Sequence, residues 1–235
     1  MDLEFSRLVN QAAEIASSGR WAAVNTCIGA LAAHPGEDNE WWAQLFGALC
    51  YQDFSEYLLL KNDYENRTTD DVALLAWRAR NLLELCVWSV YCAKSRENAR
   101  CVYEDADRDV RGILDAFIKW GTVTTQSSDW LDPIAAAKTK LADRALHNDG
   151  IRSLDGRFKE VRDAAKECGL GDHFAVSYKM LSKFAHATSM RILAPKDERR
   201  ESVLRDLFFS NGCLCFTGAF NALEGPLLKA NKQRT

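Results

Sequence analysis

Between Asp71 and Ala93 the sequence reads DVALLAWRARNLLELCVWSVYCA, with no Gly or Pro. On a helical period Leu75, Ala79, Leu82, Leu83, Cys86 and Val90 form a broad apolar flank, and Leu74, Leu85 and Cys92 extend it round the back. A helix apolar over most of its circumference must be surrounded by protein. What is left is a narrow stripe of Trp77, Arg80, Asn81, Glu84, Trp88 and Tyr91. Arg80 and Glu84, at i and i+4, can pair along the helix. Either the pair is an ion pair internal to the core or the stripe looks into a polar pocket. The two should be paired and largely buried, and removing Glu84 should then cost about 3–5 kcal/mol, because the guanidinium is left uncompensated.

The rest of the chain supplies helices to surround it. Four prolines and 13 glycines in 235 residues disfavour a many-turned β fold, and 47% apolar residues exclude wholesale disorder. Amphipathic or apolar helices are expected over 3–17, 21–33, 39–60, 96–120, from Pro133, over 153–168, 172–194 and 196–223, with Lys61–Thr69 a loop. Helix 96–120 carries an apolar stripe of Val102, Ala106, Val110, Ile113, Phe117 and Trp120 opposite a charged face, which reads as a surface helix laid on a core. Glu104, Asp105, Asp107 and Asp109 read there as solvated charges. Gly169 stands where a left-handed helix C-cap is wanted, and Gly225-Pro226 reads as the end of the last helix. Ser210, Gly212, Thr217 and Gly218 suggest a close helix–helix approach. The expected fold is all-α: one domain of about eight helices, with a hairpin over 1–36 and a bundle core over 70–224.

Net charge is −3, so no global field favours nucleic acid, though a local basic face remains open. The eight cysteines form no CxxC and no zinc-like spacing with the four histidines. They read as free thiols, and no metal or cofactor is expected. The opening MDLEFSRLVNQ has no basic n-region followed by an apolar run, so a cytoplasmic protein is expected. The longest apolar run of the last helix, near 14 residues and containing Asn211, is too short to span a membrane.

A second stretch carries chemistry. In SYKMLSKFAHATSMRIL (177–193), Phe174, Tyr178, Leu181, Ala185 and Ile192 fall on the buried side of a continuous helix, and Lys179, Ser182, Lys183, His186 and Met190 on the other. Ser182 and His186, at i and i+4, bring hydroxyl and imidazole together. Lys179, two turns earlier, can hold a phosphate. Imidazole, hydroxyl and ammonium together are the parts of a metal-independent ribonuclease. They are also common on solvated helix faces.

RNLLELCVWSVY (80–91), followed about ninety residues on by YKMLSKFAHATS (178–189) and a long apolar last helix, resembles a set of uncharacterised bacterial helical proteins. These carry an Arg-x-x-x-Glu helix and a later Tyr-x-x-Leu-Ser…His helix, and are similar in layout to the HEPN superfamily of toxin–antitoxin and abortive-infection systems. The resemblance implies a helical homodimer acting on RNA, with an Arg, four to six residues, then a catalytic His on a late helix. Here the matching His is His186. No Arg precedes it at that spacing, and Lys179 is the nearest basic residue. Lysine does not replace a bidentate guanidinium. Either Arg80 supplies that charge from the central helix, or the fold serves without the nuclease. Two other readings stand beside this one: a non-catalytic protein-interaction module, and a small-molecule pocket lined by Trp77, Trp88 and Tyr91.

Overall fold

The computed structural model describes residues 2–33, 40–66, 72–123, 132–140, 159–186 and 197–232. Of the expected elements, 153–158, 187–194 and the end of the loop at 67–69 lie outside the described residues. Among those described, the chain is wholly helical: α1 (Asp2–Ser17), α2 (Gly19–Ala33), α3 (Glu40–Glu65), α4 (Val72–Lys94), α5 (Arg96–Val123), α6 (132–140), α7 (Val161–Glu167), α8 (Gly171–Ala185) and α9 (Glu198–Lys232). None of these helices is long and apolar enough to cross a membrane.

The helices gather into two compact units. One comprises residues 1–95 with 161–235, the other residues 96–160. The first is organised around α4, which packs most extensively on α9 and then on α8 and α3. Leu75, Ala76, Ala79, Leu82, Leu83 and Val87 are all at most 1% exposed, as the near-circumferential apolar pattern requires. The α4–α9 approach is close because α9 offers glycines. A Cβ on Gly212 would lie 2.2 Å from Leu60 Cδ2 and 3.3 Å from Leu82 Cδ1, and one on Gly218 would lie 3.1 Å from Cys86 Sγ. The α1–α2 hairpin belongs to the same unit. Trp21 stacks on Phe54 with centroids 3.9 Å apart, and Arg20 donates to both carboxylate oxygens of Glu224 at 3.0 and 2.6 Å.

Two helix ends differ from expectation for tertiary reasons. α3 runs through Lys61 to Glu65 because Tyr64 is useful there: its ring stacks on Phe209 at 4.0 Å and its hydroxyl donates to Asp206 at 2.8 Å. α9 continues through Pro226. Proline inside a helix costs about 3 kcal/mol, but Leu223 and Leu227, one turn apart, are both fully buried and hold the extension in place. α7 starts only at Val161, and Lys159 and Glu160 before it are not helical. Its C-terminus follows the sequence signal. Gly169 has φ +77°, Gly169 N–H donates to Lys166 O at 3.1 Å and Leu170 N–H to Ala165 O at 2.8 Å, the pairing of a Schellman cap.

The second unit corrects the reading of α5. Val110, Ile113, Phe117 and Trp120 are 46–56% exposed rather than laid on a core. Buried instead are the charged groups Glu104, Asp105 and Arg108. They tolerate burial because they neutralise one another at helical spacings: Arg108 pairs with Asp105 and, at 3.6 Å, with Glu104, which Arg100 also meets at 3.3 Å. Lys159 N–H caps Asp105 at 3.1 Å. On α6, Lys138 pairs with Asp115 of α5.

All eight cysteines are free, six of them buried. Several surround an acid that the sequence did not single out. Asp53 is 2% exposed, accepts from Ser89 Oγ at 3.0 Å through Oδ2, and leaves Oδ1 without a partner. Burial, then the neighbouring Cys86, pushes its carboxyl well above the ordinary carboxylate range, against the Ser89 hydrogen bond. Burial pushes the Cys213 thiol up to about 12, and the hydrogen bond with Cys86 and burial push Cys215 up as well.

The sign of the resulting pH dependence is fixed. With the folded pKa raised, the unfolded chain releases this proton first, near pH 3.9. Asp53 therefore does no harm below that pH and erodes stability as pH rises from there towards its folded pKa, by at most ~1.4 kcal/mol per pH unit. Asp53→Asn, isosteric with the protonated acid, should be close to neutral near pH 4 and increasingly stabilising towards pH 7. Urea titrations of both proteins across that range measure this, and a constant difference would refute a raised Asp53.

Candidate functional site

Two arginines within one turn of α4 run in opposite directions. Arg78 turns to α3, where it meets Glu56 and Asp63, each at 3.3 Å. Arg80 turns to α8. Its Nε donates to Glu84 Oε1 at 3.1 Å, its Nη2 to the Tyr178 hydroxyl at 2.6 Å, and its Nη1 to His186 Nε2 at 2.7 Å. The guanidinium carbon also lies 4.6 Å from the Tyr178 ring centroid. Each of the three guanidinium nitrogens thus has its own partner, and the planar fork is held on α4 by Glu84.

Guanidinium only donates, so His186 Nε2 must be the accepting nitrogen and the ring proton sits on Nδ1. His186 is exposed, while the Arg80 side chain is 20% and the Glu84 side chain 33% exposed. The cluster is therefore a half-buried arginine with one rigid edge directed at an imidazole open to solvent. Tyr178 accepts from Arg80, and among the described residues its own O–H has no acceptor.

The helix that carries the imidazole ends earlier than its pattern suggests. α8 stops at Ala185, and His186 is its C-cap, with extended backbone (φ −105°, ψ 158°) and its N–H on Ser182 O at 3.3 Å. The i, i+4 pairing of Ser182 with His186 presupposes a helix running through both. Ser182 Oγ is instead buried and has no hydrogen-bond partner, and Lys179 is exposed. So of the three residues Lys179, Ser182 and His186, the structure brings only His186 to Arg80 and Glu84. Tyr178 completes the cluster. It had been assigned to the buried face, and its signal was the long reach of a phenol whose ring can be covered while its hydroxyl is not.

The aromatic residues of α4 do not line one pocket. Trp88 and Tyr91 meet edge to face at 6.1 Å, with Tyr91 buried. Trp77 lies eleven residues before Trp88, about 16 Å along the helix, and is 42% exposed. Elsewhere, Tyr64, Glu65, Glu198, Glu201, Ser202, Arg205 and Asp206 line a polar cleft of about 450 Å³. Among the described residues no group of three or more His, Cys, Asp or Glu is placed to hold a metal ion.

An all-helical protein with an Arg–Glu pair on its central helix and a Tyr–His pair on a facing helix is thus the class that fold and site define. Residues 45–199 match the model of DUF5677, a family of unknown function, and the chain belongs to that family. The match includes all of α4 and α8 and so all four residues of the cluster. No curated protein and no solved structure matches the chain.

The exposures reset the energetics of the Arg80–Glu84 pair. A buried pair was expected, but these side chains are only partly covered. Water screens them, and Arg80 keeps two other partners. Glu84→Ala should cost about 1 kcal/mol by chemical denaturation, and a loss of the size expected for a fully desolvated pair would show that the site closes in solution.

Proposed function

We propose that the Arg80–His186 cluster is a site for an RNA phosphodiester, and that the protein is a HEPN-like helical component of a bacterial defence or toxin–antitoxin type system with weak, metal-independent ribonuclease activity. The observation that carries this reading is the 2.7 Å contact between Arg80 Nη1 and His186 Nε2. The guanidinium missing from the late helix is present from α4 instead. The pairing of a phosphate-holding group with a proton acceptor is the pairing that transesterification of RNA needs.

The chemistry follows from how the partners exchange. An entering phosphate offers two anionic oxygens, and the Nη1 and Nη2 edge of Arg80 is a bidentate match for them. Taking that edge releases His186 Nε2, whose lone pair then faces the scissile group. The ribose 2′-oxygen attacks phosphorus as its proton passes to Nε2. The P–O5′ bond breaks and the 5′-oxygen takes a proton, leaving a 2′,3′-cyclic phosphate and a 5′-hydroxyl end. Tyr178, with its O–H free, can donate to a phosphate oxygen or to the leaving oxygen. Glu84 touches no substrate atom and acts by fixing Nε of Arg80.

The test is cleavage of single-stranded RNA in the presence of a chelator, with the ends identified by mass. His186→Ala should lower the rate by about 10²–10⁴-fold, the range for a lost general base, with an unchanged thermal midpoint because the ring is exposed. Arg80→Lys should keep the charge yet lose most of the rate. A 2′-deoxy substitution at the cut should abolish it. If the parent produces no cyclic phosphate on any RNA, or His186→Ala cuts as fast, the enzyme reading falls. The half-exposed Val110, Ile113 and Phe117 of α5 favour the second reading, a helical protein-interaction module, which would then stand.

A further inference from the structure

One aromatic residue of α4 has no part in the catalysis just described. Trp77 is 42% exposed on a helix otherwise enclosed by protein. The guanidinium of its neighbour Arg78 lies 4.8 Å from the centre of its ring. Arg78 is only 16% exposed and is gripped by Glu56 and Asp63, so it is a fixed support rather than a mobile surface chain. An indole resting on an immobilised cation is oriented before any ligand arrives, and the entropy of ordering it is already spent. Trp77 also stands three residues before Arg80, on the neighbouring strip of the helix surface.

We propose that the exposed indole of Trp77 is a stacking platform for one base of a single-stranded RNA whose adjacent phosphate lies at Arg80. This rests on the RNA reading of the Arg80–His186 cluster and adds to it the strand type. A base can lie on the indole only when it is out of a duplex, so paired RNA is excluded from this contact. The stack is indifferent to base identity, because every base has a π-face, and so it positions the backbone without reading sequence.

Fluorescence anisotropy with a short labelled RNA tests this on the full chain. Trp77→Ala should weaken binding of the single strand about 5- to 150-fold, the cost of one lost base–aromatic stack. Trp77→Phe should recover most of that loss, since it keeps a π-face. The dependence of affinity on salt should stay as in the parent, because no phosphate contact is removed. Placing an abasic nucleotide at the stacked position should bring the parent down to the level of Trp77→Ala. Equal affinity of Trp77→Ala and parent for the single strand overturns the proposal. So does a loss that persists undiminished on the abasic strand, or a Trp77→Phe protein as weak as Trp77→Ala. Trp77-dependent binding without His186-dependent cleavage leaves the platform standing and removes only the catalysis. Cleavage that is indifferent to Trp77 removes only the platform. A parent that binds no RNA at all overturns both.

Discussion

Enclosing α4 on nearly every side obliges each polar group on it to find a partner, and most of the specific features of this protein follow from that constraint. A buried amide, hydroxyl or guanidinium left unpaired costs more than a typical hydrogen bond contributes. Ser89 therefore donates to Asp53 of α3, Arg78 meets Glu56 and Asp63, and Arg80 reaches across to α8. The first two arrangements face α3 and are fully explained as structure. The third ends on a solvent-exposed imidazole, which packing does not require. It is this surplus that supports the proposal of a site on the α8 side of α4.

Much of the architecture was legible in the residues because local pattern and tertiary environment agree. The apolar circumference of 71–93, the glycines of α9 and the glycine at 169 each state a physical requirement that one residue type meets best, and α4, the α4–α9 approach and the α7 cap appear where they point. The failures share a cause too. The ends of α3 and α9 depend on partners distant in sequence, Phe209 and Asp206 for Tyr64, and the packed face that receives Leu227. On α5 the apolar stripe promised burial and the acidic run promised solvent, yet Glu104 and Asp105 are covered and the stripe is half open. Periodicity identifies two faces of a helix. It does not say which face the rest of the chain will cover when the charged face can neutralise itself.

The candidate site was half legible for the same reason. Arg80 and Glu84 could be paired from spacing alone, since both lie within one continuous helix. The Ser182–His186 pairing used the same rule on a helix that does not last long enough to apply it. Once α8 ends at Ala185, the direction of His186 is set by its extended backbone. Spacing along the chain could not anticipate that Nε2 would be turned to a guanidinium 106 residues away.

That termination also divides labour within the site. Arg80 is fixed by Glu84 on the most enclosed helix of the unit, whereas the imidazole is carried on a single non-helical residue at a helix end. On the reading proposed above, the residue that would hold a phosphate is on the enclosed element, and the residue that would take the proton is exposed at a helix end. With the ring inside a helix, releasing Nε2 from Arg80 would leave both groups unpaired in a covered place. With the ring exposed, it would return to water when a phosphate took its place, so exchanging partners would cost little. The buried acid Asp53, whose carboxyl burial pushes well above the ordinary range, lies on the α3 side of the same helix and meets Ser89 rather than Arg80.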